Sequence, residues 1–236
     1  MPDRLPFAKP EPSAGPEDVL LVPEGVLLVI DVQRDFCAGG TLAVPDGDAV
    51  VPLINRIAAG FEHVILTQDW HTAGHSSFAS SHPGRSPYET VQAAYGPQTL
   101  WPDHCIQGSP GSGFHPDLDI PHVELILRKG FRPAIDSYSA FFENDKTTHT
   151  GLAGYLRERG FQRIFLAGLA YDYCVRYSAV DAVRSGFAAI VLEDACRAIG
   201  LGGSVESTNL EFDAAGVLRA TTARLAESIS PAPGLT

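Results

Sequence analysis

The sequence predicts an α/β fold: a doubly wound, mostly parallel six-stranded sheet with helices on both faces. Several short runs, such as residues 26–30, are apolar throughout and rich in β-branched residues, which is typical of strands buried on both faces of a parallel sheet. Segments with apolar residues at helical spacing alternate with these runs. A polar, potentially reactive residue also follows four of the runs. Because ligands bind at the carboxyl ends of parallel strands, this placement favours the same class.

Each helix and strand is predicted from its own pattern. Apolar residues at helical spacing, such as Ile54, Ile57 and Ala58, indicate a helix over residues 48–59. A second helix is expected to begin near Tyr173 and to end at Gly186, because glycine commonly follows a helix. The other predicted helices cover residues 151–159 and 204–215. The predicted strands cover residues 26–30, 63–67, 123–127, 163–169, 188–192 and, more weakly, 217–221.

The 236 residues are enough for one sizeable domain, which we assign to residues 23–236. Residues 1–22 contain many prolines and no periodicity, so we expect a poorly ordered or extended arm. Residues 72–122 are too long for a simple crossover, and their aromatic and histidine content favours an ordered insertion that caps the domain. The Pro- and Gly-rich end, residues 229–236, is expected to be loose.

Composition limits the partners of the chain. The formal net charge of -11, without any basic cluster, argues against nucleic acid and against anionic membrane surfaces. No apolar stretch approaches the roughly 18 residues that span a bilayer. The first residues lack the apolar core of a secretory signal, so the expected location is the cytoplasm. A small-molecule substrate and a homo-oligomer are both compatible with these features.

Cys174 is the candidate nucleophile. It follows the apolar run 163–169 in the first turn of a predicted helix, where unpaired N–H groups and the helix dipole favour a thiolate. Its position alone is equally consistent with a small buried core cysteine. The other cysteines are widely spaced and form no C-x-x-C pair, so all four are expected to be free thiols. The three cysteines other than Cys174 are Cys37, Cys105 and Cys196.

Four potentially reactive residues follow the ends of four different predicted strands: Asp31, Asp69, Lys129 and Cys174. Parallel strands end at one edge of the sheet, so these side chains are expected to lie together. A carboxylate beside a thiol can take its proton and later protonate a leaving amine, and a lysine balances the charge. Singly, Asp31 is better explained as a strand-end cap and Lys129 as a solvated lysine. Their joint placement favours the catalytic interpretation.

A second group of residues has the chemistry of a metal site. One carboxylate and three imidazoles suit a divalent transition metal, with room for water or substrate. These residues are Asp69, His71, His75 and His104. The spacing alone is a weak signal, because histidines are also common in solvated loops. We assign the other four histidines to such loops: His82, His115, His122 and His149.

Through these residues the sequence resembles the nicotinamidases of the isochorismatase-like cysteine hydrolase superfamily. The likeness runs from Val26 to about Leu225. The matching segments are DVQRDFCAGG at 31–40, TQDWH at 67–71, WPDHC at 101–105, KG at 129–130, DSYSAF at 136–141 and GLAYDYCV at 168–175. As a set and in this order, the motifs are highly specific.

The resemblance implies a role for each residue of the site. It implies an isochorismatase-like sheet with a catalytic triad of Asp31, Lys129 and Cys174. It implies one divalent metal ion per chain, with zinc as the first choice and iron or manganese as alternatives. The implied metal ligands are Asp69, His71, His75 and His104.

The resemblance also implies the features that hold the substrate. A cis peptide bond is expected between Leu169 and Ala170, with the N–H groups of Ala170 and Cys174 binding the oxyanion. Phe36 and Trp101 match residues that sandwich a pyridine ring. The expected substrate contacts are Phe36, Trp101, Tyr138 and Tyr171. Tyr171 stands where the family often has a small threonine, so the rim of the pocket is expected to differ.

The implied activity is hydrolysis of nicotinamide to nicotinate and ammonia through a cysteine thioester, in NAD salvage, with activity on pyrazinamide-like amides as well. Two alternatives stay open. An N-carbamoyl amidase shares the triad and lacks the metal set, whereas the isochorismatase branch usually lacks the cysteine. A non-catalytic metal-binding or regulatory protein on the same scaffold is the second alternative, since fold alone does not establish function.

Overall fold

A computed structural model describes residues 25–229 of the chain. Its strands are β1 (Val26–Ile30), β2 (His63–Asp69), β3 (Thr90–Ala93), β4 (Gly96–Thr99), β5 (Val123–Lys129), β6 (Arg163–Leu169), β7 (Ala188–Arg197) and β8 (Leu218–Ala220). Six of them form one sheet in the order β5-β2-β1-β6-β7-β8, and every neighbouring pair is parallel. The first described strand, β1, lies in the middle of this sheet, and later strands add outward in both directions, which confirms the predicted class.

The helices cover both faces of the sheet. They are α1 (Val51–Ala58), α2 (Leu152–Glu158), α3 (Arg176–Arg184), α4 (Ser204–Ala215) and α5 (Thr222–Ile229). Side chains of β1 alternate between two cores, because successive residues of a strand point to opposite faces. Leu27 packs in the core that includes Ile54 of α1, whereas Leu28 packs in the core that includes Leu156 of α2 and Phe212 of α4.

Two elements at the C-terminal side differ from the prediction. Strand β7 continues to Arg197, five residues beyond the predicted end, because Glu193 and Asp194 interrupt the apolar run that marked the strand. Helix α5 follows β8 and was not predicted. Of the tail predicted to be loose, only Ile229 lies within the described residues. The predicted N-terminal arm, residues 1–22, lies outside them.

The segment after β6 also corrects the sequence analysis. The helical segment begins at Tyr171, two residues before the predicted start, and its first turn is π-helical: this turn covers Tyr171–Val175 and leads into α3 at Arg176. Its wider hydrogen-bonding pattern includes a bond from the Val175 N–H to the Ala170 carbonyl oxygen at 3.1 Å. Such turns are rare and occur frequently at functional sites.

Residues 72–122 contain an antiparallel hairpin that the sequence did not reveal. Strands β3 and β4 form this hairpin, and Gln98 and Thr99 of β4 lead directly to Trp101. Isolated bridges of His71 with Ile106 and of Gln33 with Phe114 tie the segment to the rest of the chain, and a bridge between Phe78 and Trp101 lies within it. Among the helices of residues 25–229, none is long and apolar enough to cross a membrane.

Candidate active site

The ends of four adjacent strands bring the predicted rim residues together around one ammonium group. Lys129, the last residue of β5, places its Nζ 2.7 Å from Asp31 Oδ2 and 2.6 Å from Asp69 Oδ1. The same Nζ lies 3.4 Å from the Sγ of Cys174. All four side chains are buried. The strand order β5-β2-β1-β6 is therefore what assembles this cluster.

Local hydrogen bonds fix the acid and the amine in these positions. Asp31 has a left-handed backbone, with φ of 47°, where the chain turns off β1. Its N–H donates to Thr67 Oγ1 at 3.1 Å, and the Thr67 hydroxyl donates to Asp31 Oδ1 at 2.6 Å. The Lys129 ammonium also donates to the Ser137 carbonyl oxygen at 3.0 Å. Oδ2 of Asp31 is left facing Lys129 and the thiol side of the cluster.

Burial and neighbouring charges set the protonation of Asp31 and Lys129. Burial raises the pKa of Asp31 despite the opposing charge of Lys129, and the carboxylate of Asp69 adds to the increase. Burial opposes the charge on Lys129, but the two carboxylates outweigh it and raise the pKa of the amine well above its usual value. The lysine is therefore charged, and it offsets the buried carboxylates.

The expected thiolate at Cys174 is not supported. Burial raises the pKa of Cys174 well above its usual value; Lys129 opposes this increase, and Asp31 and Asp69 add to it. Cys174 does lie in the first turn of the helical segment, but burial and the neighbouring charges set the pKa of its thiol. Loss of the thiol proton therefore depends on an adjacent base, and a carboxylate oxygen of Asp31 lies within 4.8 Å of Sγ.

The backbone before Cys174 is closely fitted to β1. The Leu169–Ala170 peptide bond is cis. Gly168 has a positive φ of 123°, and a Cβ at this position would overlap the carbonyl oxygen of Ile30. The Ala170 carbonyl accepts the N–H groups of Tyr173 and Val175, both at 3.1 Å, and thereby holds the turn that presents Cys174.

A cluster of metal-ligand type adjoins Lys129 through Asp69. Oδ2 of Asp69 lies 3.4 Å from Nε2 of His71 and 3.6 Å from Nε2 of His104. The Nδ1 atoms of the two rings lie 2.9 Å from the Gly130 carbonyl and 2.8 Å from the Pro102 carbonyl. Carbonyl oxygens only accept, so each Nδ1 carries the proton and each Nε2 lone pair is directed at the carboxylate.

This donor set fits a divalent transition metal. One ligand atom from each of Asp69, His71 and His104 lies within 4.8 Å of the other two. The two histidines donate their other ring N–H to a backbone carbonyl, as metal-binding histidines commonly do. Burial lowers the pKa of His71, but the adjacent carboxylate of Asp69 outweighs burial and raises that pKa above its usual value. Imidazole and carboxylate ligands are compatible with zinc, iron and manganese.

His75 lies beside this cluster but does not converge with it. Its ring centroid is 4.6 Å from that of His71. Its Nε2 is 2.8 Å from the Arg132 carbonyl, and its Nδ1 is 2.8 Å from the Ser77 hydroxyl. Both ring nitrogens are therefore engaged, and His75 can become a fourth ligand only by exchanging one of these hydrogen bonds.

A small cavity, the inner cavity, opens between the cysteine and the metal-type cluster. Among its lining residues are Cys174, Ala170, Asp69 and His104, so the nucleophile and two candidate ligands face the same space. Aromatic and aliphatic side chains form its walls: Phe36, Leu42, Trp101, Tyr138, Tyr173 and Ile199. The lining suits a flat aromatic molecule with one polar group, but the volume is only about 20 Å³, so such a molecule fits only when wall side chains move apart.

Comparison with known proteins agrees with this geometry. Residues 25–222 match the isochorismatase domain. The chain belongs to the isochorismatase family. Within this family, the nicotinamidase of Acinetobacter baylyi is 49% identical over 193 residues, which is 82% of this chain and 90% of that protein.

Solved structures of the family resemble the chain closely. The nicotinamidase/pyrazinamidase of Acinetobacter baumanii is 51% identical with a TM-score of 0.85, covering 86% of this chain and 99% of that one. The pyrazinamidase of Pyrococcus horikoshii, solved in complex with zinc, is 33% identical with a TM-score of 0.68, covering 84% of this chain and 99% of that one.

The structure places one predicted substrate contact of this isochorismatase-family site, Tyr171, away from the inner cavity. Tyr171 does not line the inner cavity; its ring packs edge-on against Phe212 of α4, with centroids 5.6 Å apart. Its hydroxyl donates to Asn209 Oδ1 at 2.6 Å and lies 3.3 Å from Glu193. The chain turns after Ala170, so residue 171 points to α4, and its difference from threonine does not alter the cavity.

The sequence analysis missed several lining residues, of which Tyr173 is the most important. Tyr173 points back to the cavity, and its ring lies 4.8 Å from that of Trp101. The position of Tyr173 directly before Cys174 was the sequence signal that could have identified it. Asp136, within the quoted segment 136–141, is buried at the cavity and accepts a hydrogen bond from Gln98 Nε2 at 2.8 Å.

Proposed function

We propose that this protein is a nicotinamidase, which hydrolyses nicotinamide to nicotinate and ammonia through a thioester on Cys174. The observation that carries the proposal is the position of the Lys129 ammonium, 2.7 Å from Asp31 and 3.4 Å from the sulfur of Cys174. Of these groups, Cys174 lines an aromatic cavity that Asp69 and His104 also line. The names of the family members described above support the same activity.

Asp31 and Cys174 perform the first proton transfer. The carboxylate of Asp31 takes the thiol proton as Sγ attacks the amide carbon, which forms a carbon–sulfur bond and moves the carbonyl electrons to oxygen. The raised pKa of Asp31 suits this role, because it makes the carboxylate a stronger base than an ordinary aspartate. Lys129 stays protonated and compensates the negative charge as it moves.

The N–H groups of Ala170 and Cys174 are our candidates for binding the oxyanion. Asp31 then gives its proton to the amide nitrogen, the carbon–nitrogen bond breaks, and ammonia leaves. Water next attacks the thioester while Asp31 again acts as base. The carbon–sulfur bond breaks, nicotinate forms, and the proton returns to Cys174.

Asp69, His71 and His104 are the residues that we expect to hold one divalent ion, with His75 as the fourth ligand after a change of hydrogen bond. Zinc is our first choice, supported by the zinc complex of the related pyrazinamidase. When bound, the ion supplies an electrophile that can hold the pyridine nitrogen or a water molecule. Phe36 and Trp101 are expected to pack on the ring faces, and Tyr138 to complete the wall.

We expect this reaction to serve NAD salvage and the protein to act in the cytoplasm. Pyrazinamide differs from nicotinamide by one ring nitrogen, so it is expected to be a second substrate. Neither the order of residues 1–22 nor an oligomeric state enters the mechanism, because every group that it uses belongs to one chain.

The test is ammonia release by the purified protein from nicotinamide, pyrazinamide, an N-carbamoyl amino acid and an aliphatic amide, before and after chelator treatment. We expect turnover of the two aromatic amides, loss after chelation, and recovery with one equivalent of zinc, iron or manganese. Preference for the N-carbamoyl compound identifies the other amidase class. Metal binding without turnover of any amide identifies a non-catalytic protein, and both results contradict the proposal.

A further inference from the structure

Two tyrosines separate the inner cavity from a second space on its outer side. This second space, the outer groove, has a volume of about 250 Å³. It is lined by Thr90, Pro97, Thr99, Arg176 and Tyr177. Tyr138 and Tyr173 line both the inner cavity and the outer groove, so their rings form the partition between them.

The partition is a packed aromatic cluster. The rings of Tyr138 and Tyr173 meet edge-on with centroids 5.6 Å apart, at an interplanar angle of 77°. Tyr173 also packs edge-on against Trp101 at 4.8 Å, and Trp101 meets Tyr138 at 6.2 Å. Three mutually perpendicular contacts of this kind leave little space for a substrate atom between the rings.

The two tyrosines are held differently. The Tyr138 hydroxyl accepts hydrogen bonds from Trp101 Nε1 and from Gln98 Nε2, both at 3.0 Å. Gln98 is itself buried, so Tyr138 is fixed by the hairpin β3–β4. Within residues 25–229, the Tyr173 hydroxyl forms no hydrogen bond, and its half-buried ring is held by ring packing alone. Burial and the neighbouring Asp172 raise the pKa of Tyr173 to about 12, so the hydroxyl is neutral.

We propose that Tyr173 is the specificity-determining residue of the inner cavity: it closes the cavity to aromatic amides larger than one ring. The inference rests on the proposed amidase function. Cys174 directly follows Tyr173, so the ring that limits the substrate is attached to the turn that presents the nucleophile. The outer groove is larger than the ~150 Å³ cavity that accommodates benzene in another protein, so it can accept a second fused ring once the partition is removed.

The proposal predicts an exchange of specificity rather than a loss of activity. Removal of the Tyr173 ring joins the two spaces without changing Asp31, Lys129 or Cys174. Nicotinamide then loses one wall contact, whereas a fused bicyclic amide gains room that the unaltered protein denies to it. Steric selection by one ring can change relative specificity by one to two orders of magnitude.

The experiment compares kcat/KM for nicotinamide, a ring-methylated nicotinamide and a quinoline carboxamide in the unaltered protein, Tyr173→Ala and Tyr173→Phe. We expect Tyr173→Ala to increase the ratio for the quinoline amide over nicotinamide at least about tenfold. Tyr173→Phe keeps the ring and is expected to keep the original ratio. Tyr173→Leu serves as a smaller change if the alanine variant does not give a cooperative unfolding transition.

Tyr177→Ala is the size-matched comparison, because Tyr177 lines the outer groove and not the inner cavity. An equal change of ratio in Tyr177→Ala and Tyr173→Ala overturns the proposal, as does an unchanged ratio in folded Tyr173→Ala and Tyr173→Leu. The proposed function is tested separately by nicotinamide turnover in the unaltered protein. If another aromatic amide is the better substrate, the same ratios taken against that amide still test the partition.

Discussion

Lys129 Nζ lies 2.6 Å from Asp69 Oδ1, and this ion pair joins the nucleophile cluster to the metal-type cluster. The other oxygen of Asp69 faces His71 and His104. One buried carboxylate therefore contacts both the amine of the proposed triad and two proposed metal ligands. A substitution in either cluster should therefore alter the position or charge of Asp69 and, through it, the other cluster.

Cys174→Ala should remove turnover while metal content is preserved. The sulfur is the proposed nucleophile, and loss of a nucleophile lowers kcat by at least about a thousandfold. Sγ is not among the three converging ligand atoms of Asp69, His71 and His104. Ammonia release and elemental analysis of the same sample provide the check. Cys196→Ala, another buried thiol, should retain turnover; residual activity above a few per cent in Cys174→Ala would exclude the thioester route.

Lys129→Met should destabilise the fold as well as remove activity. It leaves the buried carboxylates of Asp31 and Asp69 without their counter-ion, a change that typically costs ~3–5 kcal/mol of unfolding free energy. Lys146→Met removes a partly exposed partner of Asp181, 3.3 Å away, and should cost below about 1 kcal/mol. Urea denaturation measures both. The Lys129 effect should be larger after chelator treatment, because Asp69 then lacks both cations; equal effects in the two states contradict the coupling through Asp69.

His71→Ala should lose metal and bind substrate more weakly. The Nε2 of His71 is one of the three converging ligand atoms, whereas His82 Nε2 bonds only the Ser76 carbonyl at 2.7 Å. Elemental analysis and KM for nicotinamide measure the two effects, with His82→Ala as the matched control. Full activity in His71→Ala protein that is verified to be metal-free would refute the metal assignment.

Gly130→Ala tests how the backbone positions the His71 ring, and it leaves all the proposed metal ligands in the sequence. Gly130 has a φ of 68°, and a Cβ there would lie 2.5 Å from the Cε1 of His71. We expect metal affinity to fall at least about tenfold, as it does when the surroundings of a ligating histidine are altered. Competition with a chromophoric chelator measures this affinity.

Gly160→Ala is the control for backbone strain. Gly160 has a similar φ of 77°, but a Cβ there has no atom within 4 Å. Both variants pay the cost of a left-handed alanine, about 1–2 kcal/mol, and only Gly130→Ala displaces the imidazole. Equal metal affinity in the two variants would mean that the position of His71 does not depend on Gly130.

The sequence by itself determined the sheet and the identity of the reactive groups. Apolar runs such as residues 26–30 mark strands buried on both faces, and strand ends in a parallel sheet lie at one edge. Asp31, Asp69 and Lys129 could therefore be assigned to one place before any coordinates were known. The motifs around Cys174 indicated the family because each motif is a short, continuous stretch of sequence.

Only the tertiary structure decided which way the side chains near Cys174 point. Tyr171 and Tyr173 are two residues apart, yet one packs on Phe212 and the other on Trp101. A π-helical turn sets these directions, and periodicity cannot reveal it because it covers only five residues. The protonation of Cys174 was decided in the same way, since it depends on burial and on charges from three other strands. The type of the turn fixes the first property and distances between chain segments fix the second, and neither can be read from the periodicity of the sequence.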